Sequence, residues 1–301
     1  MTRARAPGKV VISGAYAVLA GAPAIVSAVS RYATADTSRP ATFITDEVRA
    51  ALAADEQAPW FDASELREND RKLGLGSSAA ILVASLFALE LARSPADSAT
   101  VQQARVLQRA TTAHRQAQGG GSGVDVAAST WGGTLVYQLG PTGASSRSVR
   151  LPADLQVEVW TCPTSASTPE LLAAVAKLAQ VSPQLHARWL GSQILAAHQA
   201  ALSVARSSSR AFIAALRAQQ RALAGLGQAA GVPIVTPELA TLAPRAEAEG
   251  GVLLPAGAGG GDLALFVGRA PSTADLRAAL ENHAHRRLTT ELGAPGVSAI
   301  T

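Results

Sequence analysis

One stretch, KLGLGSSAAILVASLFALELAR from Lys72 to Arg93, constrains the fold more than any other. From Ala79 to Leu91 it is apolar nearly all round, interrupted by Ser85 and Glu90, which predicts a helix buried on every side. The first turn of such a helix leaves backbone N–H groups without intrahelical partners. Aligned peptide dipoles add about half a positive charge at that end. Gly74 and Gly76 allow close backbone approach and Ser77 and Ser78 add hydroxyls, so the segment reads as a phosphate cradle. The loose dinucleotide pattern G-x-G-x-x-A also fits GLGSSA. It requires a buried strand beforehand, and the preceding ASELRENDRK is charged, so that reading is rejected. The Gly-Lys-Ser/Thr of the common P-loop is absent. A plain cap on a core helix remains open.

Two further glycine clusters reduce the weight of that plain reading. AHRQAQGGGSGVDVAAS, residues 113–129, gathers glycines around Ser122 and then sets Asp125 in an apolar run. A carboxylate there is semi-buried and needs a cation or donors, and Lys9 in APGKVVISGAY is the natural partner. A helix-capping role for Asp125 stays open. The third cluster, PAGAGGGD at 255–262, lies between two apolar strands, where backbone folds against a ligand or against another loop.

The rest of the chain reads as α plus β in two layers. Residues 10–36 are strands around a turn, 77–92 and 97–118 are helices, and 132–139 and 155–160 are strands. Helix dominates 168–228, and strand, glycine loop and strand fill 250–267 before a last helix capped by Ser272. Residues 41–70 are mixed and unreadable, and GPTGASS at 140–146 is the expected linker. Two domains follow, 1–150 and 151–301.

Composition narrows the partners. A net charge of +4 without a lysine-arginine run suits a small anion better than nucleic acid. Among 26 basic residues the lysines are Lys9, Lys72 and Lys177, so each is a place where a compact ammonium is wanted. Cys162 is the single cysteine, and among the histidines only His283 and His285 have metal-site spacing, so neither a disulfide nor a zinc site is expected. Without a signal-peptide pattern or a run of about 18 apolar residues, the expectation is a soluble cytoplasmic protein, monomer or homodimer.

APGKVVISGAYAVLAGAPAI, KLGLGSSAA and GGVLLPAGAGGGD, in that order, resemble the three signatures of the GHMP small-molecule kinases, which include galactokinase, homoserine kinase, mevalonate kinase and phosphomevalonate kinase. Within that family the chain looks most like the phosphomevalonate-kinase branch. Lys72 stands two residues before GLGSS, and AHRQAQGGGSGVDVA, VWTCPTSASTPELL and GVPIVTPEL look like that branch. Ala15 stands where many members have Glu, and Leu254 where many have Lys.

The resemblance implies an N-terminal domain on a mixed sheet, a C-terminal ferredoxin-like domain, and a substrate between them. It implies transfer of the γ-phosphoryl group of MgATP to (R)-5-phosphomevalonate. Alternatives are another member of the family acting on an alcohol (mevalonate, homoserine or a sugar) and an inactive metabolite-binding relative. Gly74, Leu75, Gly76, Ser77, Ser78 and Ala79 would hold the ATP phosphates, with Ser77 or Ser78 touching Mg²⁺ directly or through water. Lys9 and Asp125 would be catalytic. Tyr16, His114, Arg115, Ser122, Gly123, Ser165, Ser167, Gly257, Gly259 and Gly260 would contact the acceptor or close over it. Ser165 and Ser167 could equally cap the helix near Pro169.

Overall fold

The structure, a computed structural model, describes residues 1–68, 71–141, 143–165 and 167–300. The chain opens with β1 (Arg3–Ser13) and β2 (Ala24–Pro40), joined by a turn that holds a short 3-10 segment. The stretch without a readable pattern supplies α1 (Asp46–Ala51), β3 (Pro59–Asp62) and β4 (Arg67–Glu68). Then come β5 (Arg71–Lys72), α2 (Ser77–Arg93), α3 (Ala99–Ala117), α4 (Val124–Trp131), β6 (Thr134–Gly140) and β7 (Gly143–Val149). The remainder is β8 (Gln156–Thr161), α5 (Thr168–Val181), α6 (Pro183–Ala205), α7 (Ser209–Ala230), α8 (Pro237–Ala248), β9 (Val252–Pro255), β10 (Leu263–Gly268), α9 (Ala274–Asn282), β11 (Arg286–Leu288) and β12 (Ser298–Ala299). A six-stranded sheet runs β12-β1-β2-β6-β7, with β3 also paired to β2.

The chain forms two compact units that interleave in sequence. One comprises Met1–Val10, Val26–Leu135 and the residues from Thr290 on; the other comprises Val11–Ile25 and Val136–Thr289. A single cut at residue 150 does not describe them, because the turn after β1 groups with the second unit and the C-terminal segment with the first. Of the glycine-serine tract expected to be a linker, Gly140 ends β6, residues 143–146 begin β7, and Thr142 lies outside the described residues.

In the first unit α2 is the buried helix its sequence demands. Leu82, Val83, Leu86 and Phe87 are all at most 2% exposed. Fully burying one such side chain contributes about 1.5–3 kcal/mol. The one acid in its apolar run, Glu90, is buried and accepts from Arg105 of α3 at 2.8 Å, which satisfies its charge and fixes α3 against α2. Glu56 adds a second tie at the same end of α2, pairing with Arg93 at 2.6 Å and with Arg109 of α3.

The second unit contains a four-stranded antiparallel sheet in the order β11-β8-β10-β9. Taken in sequence these are the fourth, first, third and second strands, the order of a ferredoxin-like domain. β10 is buried along its whole length, which is why LALFVG reads as continuous apolar sequence. Trp160, Leu253 and Phe266 from the sheet pack with Leu239 and Leu242 of α8 and Leu276 and Leu280 of α9. The cap of α9 is Thr273, whose Oγ1 accepts from Leu276 N at 3.2 Å, rather than Ser272. Ser272 is taken by buried Glu158, to which its N–H and hydroxyl donate at 3.0 and 2.7 Å. Among the described residues no helix is long and apolar enough to cross a membrane.

Candidate active site

β1 delivers Lys9 onto the glycine loop that precedes α2. The Lys9 N–H donates to Leu75 O at 2.7 Å, and its ammonium donates to Gly74 O at 3.2 Å. Gly76 is the N-cap of α2 in a left-handed conformation, φ 73° and ψ 40°, which favours glycine. A side chain there would also strike the lysine, since a Cβ would lie 2.9 Å from Lys9 Cε. No side chain caps this end of α2 and its first turn contains no acid. Leu75 and Ala79, both expected at the ATP phosphates, are fully buried. The loop, the helix start and the ammonium therefore form one electropositive surface suited to phosphate oxygens.

A residue that sequence reasoning missed sits beside this loop. Glu47, in the first turn of α1, is 9% exposed. Burial pushes its carboxyl up, but hydrogen bonds from its own backbone N–H, from Gln118 and from the Ser78 hydroxyl outweigh that and hold it below the usual range. Gln118 Nε2 donates to it at 3.3 Å. Glu47 thus bridges Ser78 of the first glycine loop and Gln118 at the entry to the second. The available signal was the ITDEV pattern, in which Thr45 caps α1 and two acids follow.

The second glycine cluster ends α3 and starts α4, with Asp125 in the first turn of α4. Asp125 Oδ1 accepts from Val126 N at 3.0 Å, and Oδ2 lies 3.4 Å from His114 Nε2. His114 is 2% exposed and stands behind Asp125 at the end of α3. Arg115 is half-buried, Gly123 is buried, and Ser122 Oγ accepts from Val124 N at 3.3 Å. Ser129, one turn beyond Asp125, donates to Pro7 O at 2.8 Å and so ties α4 to the strand that carries Lys9.

The other expected contacts lie in the second unit. Buried Tyr16 donates its hydroxyl to Ala258 O at 2.7 Å, fixing the turn after β1 to the third glycine loop. Burial pushes its phenol well above the usual range. In that loop Gly260 N donates to Ile234 O at 2.9 Å, the α-carbon of Gly259 rests on the same carbonyl, and Gly257 faces open space. Ser165 donates to Asp262 Oδ1 at 2.9 Å, so it braces the loop instead of capping α5. Ser167 occupies the N-cap position of α5 without a side-chain cap bond. Ala15 is half-buried in the apolar cluster around Tyr16, and Leu254 is a buried strand residue paired with Leu265.

Comparison with known proteins gives this arrangement its family. Residues 50–133 match the GHMP kinases N terminal domain, a span that includes the phosphate loop and Asp125 and begins after Lys9. The fold is shared over nearly the whole chain with Streptococcus pneumoniae phosphomevalonate kinase solved with phosphomevalonate and AMPPNP, at TM-score 0.80, 18% identity, and coverage of 97% of this chain and 100% of that one. Residues 50–133 thus match the GHMP-kinase N-terminal domain, and the chain has the fold of the GHMP kinases. This kinase is 28% identical to phosphomevalonate kinase of Streptomyces sp. (strain CL190), across 90% of its own length and 91% of that protein's. It is also 29% identical to mevalonate kinase of Archaeoglobus fulgidus, over 60% of its length and 66% of that protein's. The relatives and the fold mark it as an ATP-dependent kinase.

Proposed function

We propose that this kinase transfers the γ-phosphoryl group of MgATP to the phosphate of (R)-5-phosphomevalonate, giving the 5-diphosphate and ADP on the mevalonate route to isoprenoids. The observation that carries the reading is the Lys9 ammonium seated on the phosphate loop, 3.2 Å from Gly74 O. The similarity to a phosphomevalonate kinase across nine tenths of the chain supports the choice of acceptor.

The residues suit the divalent ion that accompanies ATP. Ser77 and Ser78 bring hard oxygen donors to the start of α2, the kind Mg²⁺ takes. Because the Ser78 hydroxyl donates to Glu47, its lone pairs remain for a cation. Bound there, Mg²⁺ supplies neutralisation of charge on the ATP phosphates.

The chain's own groups divide the remaining work. Backbone N–H groups of the loop and of the first turn of α2 bind the ATP phosphates. The bond from the γ-phosphorus to the ADP oxygen breaks as a bond from that phosphorus to an acceptor phosphate oxygen forms. A phosphate monoester has its second pKa near 6, so it is mostly ionised at neutral pH and needs no strong base. The harder task is bringing two anions together. Unit like charges about 4 Å apart repel by roughly 4 kcal/mol at an effective dielectric of 20. Lys9 offsets that repulsion, and Asp125 orients the lysine and the acceptor.

A panel of acceptors with coupled ADP detection tests the assignment. The expected result is turnover with 5-phosphomevalonate and none with mevalonate, homoserine or galactose. Turnover with mevalonate but not its phosphate overturns it, an outcome to which the similarity to an archaeal mevalonate kinase gives weight.

A further inference from the structure

We propose that His114 is a positioning residue that sets the orientation of Asp125; the inference rests on the assignment of Asp125 to the acceptor side of the site. His114 lies in the last turn of α3 and is 2% exposed, while the Asp125 side chain is 21% exposed. The imidazole is therefore the inner member of the pair, and the carboxylate keeps a face toward solvent. Asp125 Oδ1 is already engaged by the Val126 N–H, and Oδ2 is the oxygen 3.4 Å from His114 Nε2.

Among the described residues neither ring nitrogen of His114 has a hydrogen-bond partner, and the 3.4 Å approach of Nε2 to Asp125 Oδ2 stops short of one. A histidine kept only for packing or for bracing the helix end would spend its N–H on a backbone carbonyl, as buried polar groups do. Here Nε2 instead lies 3.4 Å from Asp125 Oδ2. The separation is long for a hydrogen bond in the free protein. Such contacts at catalytic groups tighten when the substrates are in place.

The chemistry of the pair is specific. A neutral imidazole carries one N–H, and a carboxylate at Nε2 selects the form with the proton on that nitrogen. Once the His114 approach closes to a hydrogen bond, Val126 N–H on one oxygen and Nε2–H on the other fix the torsion of a carboxylate that otherwise turns through a broad two-fold well. Asp125 is held in one plane from behind, leaving its outward lone pairs for Lys9 and the acceptor. His114 itself touches neither substrate.

The test compares His114→Leu, which removes the donor, with His114→Gln, whose amide nitrogen reaches the Nε2 position, each alone and combined with Asp125→Asn. Kinetics are read with MgATP and 5-phosphomevalonate, and ¹⁵N-histidine NMR reads the protonated ring nitrogen without need of any acceptor. The expectation is a loss in kcat of about tenfold or more for His114→Leu with KM for ATP within about twofold, and recovery to within about threefold of the wild type in His114→Gln. In the Asp125→Asn background His114→Leu adds no further loss, because the two act as a unit. The NMR arm finds the His114 proton on Nε2. Equal losses in the Leu and Gln variants, losses that multiply in the double variant, or a proton found only on Nδ1 overturn the proposal. A fully active Asp125→Asn enzyme removes the role of Asp125 itself, a failure recognisably different from additive losses. Absence of turnover with 5-phosphomevalonate in the wild type strikes the acceptor assignment and leaves the NMR result to decide on His114.

Discussion

Replacing Gly76 by alanine tests whether the phosphate loop and Lys9 are one device. Two costs can be separated. The first is local: φ 73° and ψ 40° lie in the left-handed region, where an L-residue loses about 1–2 kcal/mol. The second falls on the lysine, since the new Cβ would stand 2.9 Å from Lys9 Cε and 3.1 Å from Cγ. A lysine stem is flexible, so the overlap is relieved by swinging it aside, which takes the ammonium off Gly74 O. The fold therefore survives with a thermal midpoint lower by a few degrees, while kcat falls by more than about tenfold, the equivalent of ~1.4 kcal/mol in the barrier. Gly231→Ala is the control. Gly231 has nearly the same backbone, φ 71° and ψ 27°, and nothing within 4 Å of its Cβ position. Thermal melts and ADP-release kinetics on both variants should show similar stability losses and a rate loss confined to Gly76→Ala. If Gly76→Ala keeps the kcat of Gly231→Ala, the contact between loop and lysine does not matter for transfer and the reasoning fails.

Three further outcomes follow from the site and the core. Lys9→Met should cost at least as much rate as Asp125→Asn, roughly 10²–10³-fold if most of a ~4 kcal/mol anion repulsion is left uncompensated; a fully active Lys9→Met enzyme refutes its role. Glu47→Gln puts an amide N–H₂ among groups that now donate to the carboxylate, so chemical denaturation should register a loss of about 1–3 kcal/mol, and ATP titration a weaker complex. Unchanged stability and affinity would return Glu47 to a helix-capping role. His285 is buried, and burial lowers its pKa from the ordinary 6.5. Below about 6.5 the unfolded chain takes up a proton that the folded chain refuses, so stability falls as pH drops from 7 through that value. His285→Gln should flatten that slope in denaturant midpoints measured between pH 7 and 5, and an unaltered slope would assign it to other groups.

What the sequence disclosed was local, and what it hid depended on distance along the chain. The buried helix and the glycine loop before it were legible because each is written in consecutive residues, an apolar run and alternating glycines, whereas the seat of Lys9 on Gly74 O was not. Glu47 was hidden because nothing near it predicts that Ser78 and Gln118 will come to its carboxylate. β7 was misread because its described side chains are exposed almost throughout, so the strand has no apolar alternation and its glycine and serines resemble a linker. The cap of α9 was off by one residue because Ser272 and Thr273 are equally competent caps, and only folding brings Glu158 to claim the serine. The approach of His114 to Asp125 was not legible, because it depends on the turn of chain between α3 and α4.

Two helices start from glycine N-caps in the left-handed conformation, and the difference between them explains how one site can handle a donor and an acceptor. Neither α2 nor α4 has a side chain capping its first turn. The first turn of α2 contains no acid, so its N–H groups and positive dipole end are left for an external anion. The first turn of α4 contains Asp125, whose Oδ1 takes the Val126 N–H for itself. The start of α4 therefore suits a cation rather than a phosphate. The same local geometry, differing by one carboxylate, thus separates a surface that grips phosphate from one that presents a hydrogen-bond acceptor. With His114 behind that carboxylate, the second surface can be held in place without being electropositive, which is what orienting a lysine requires.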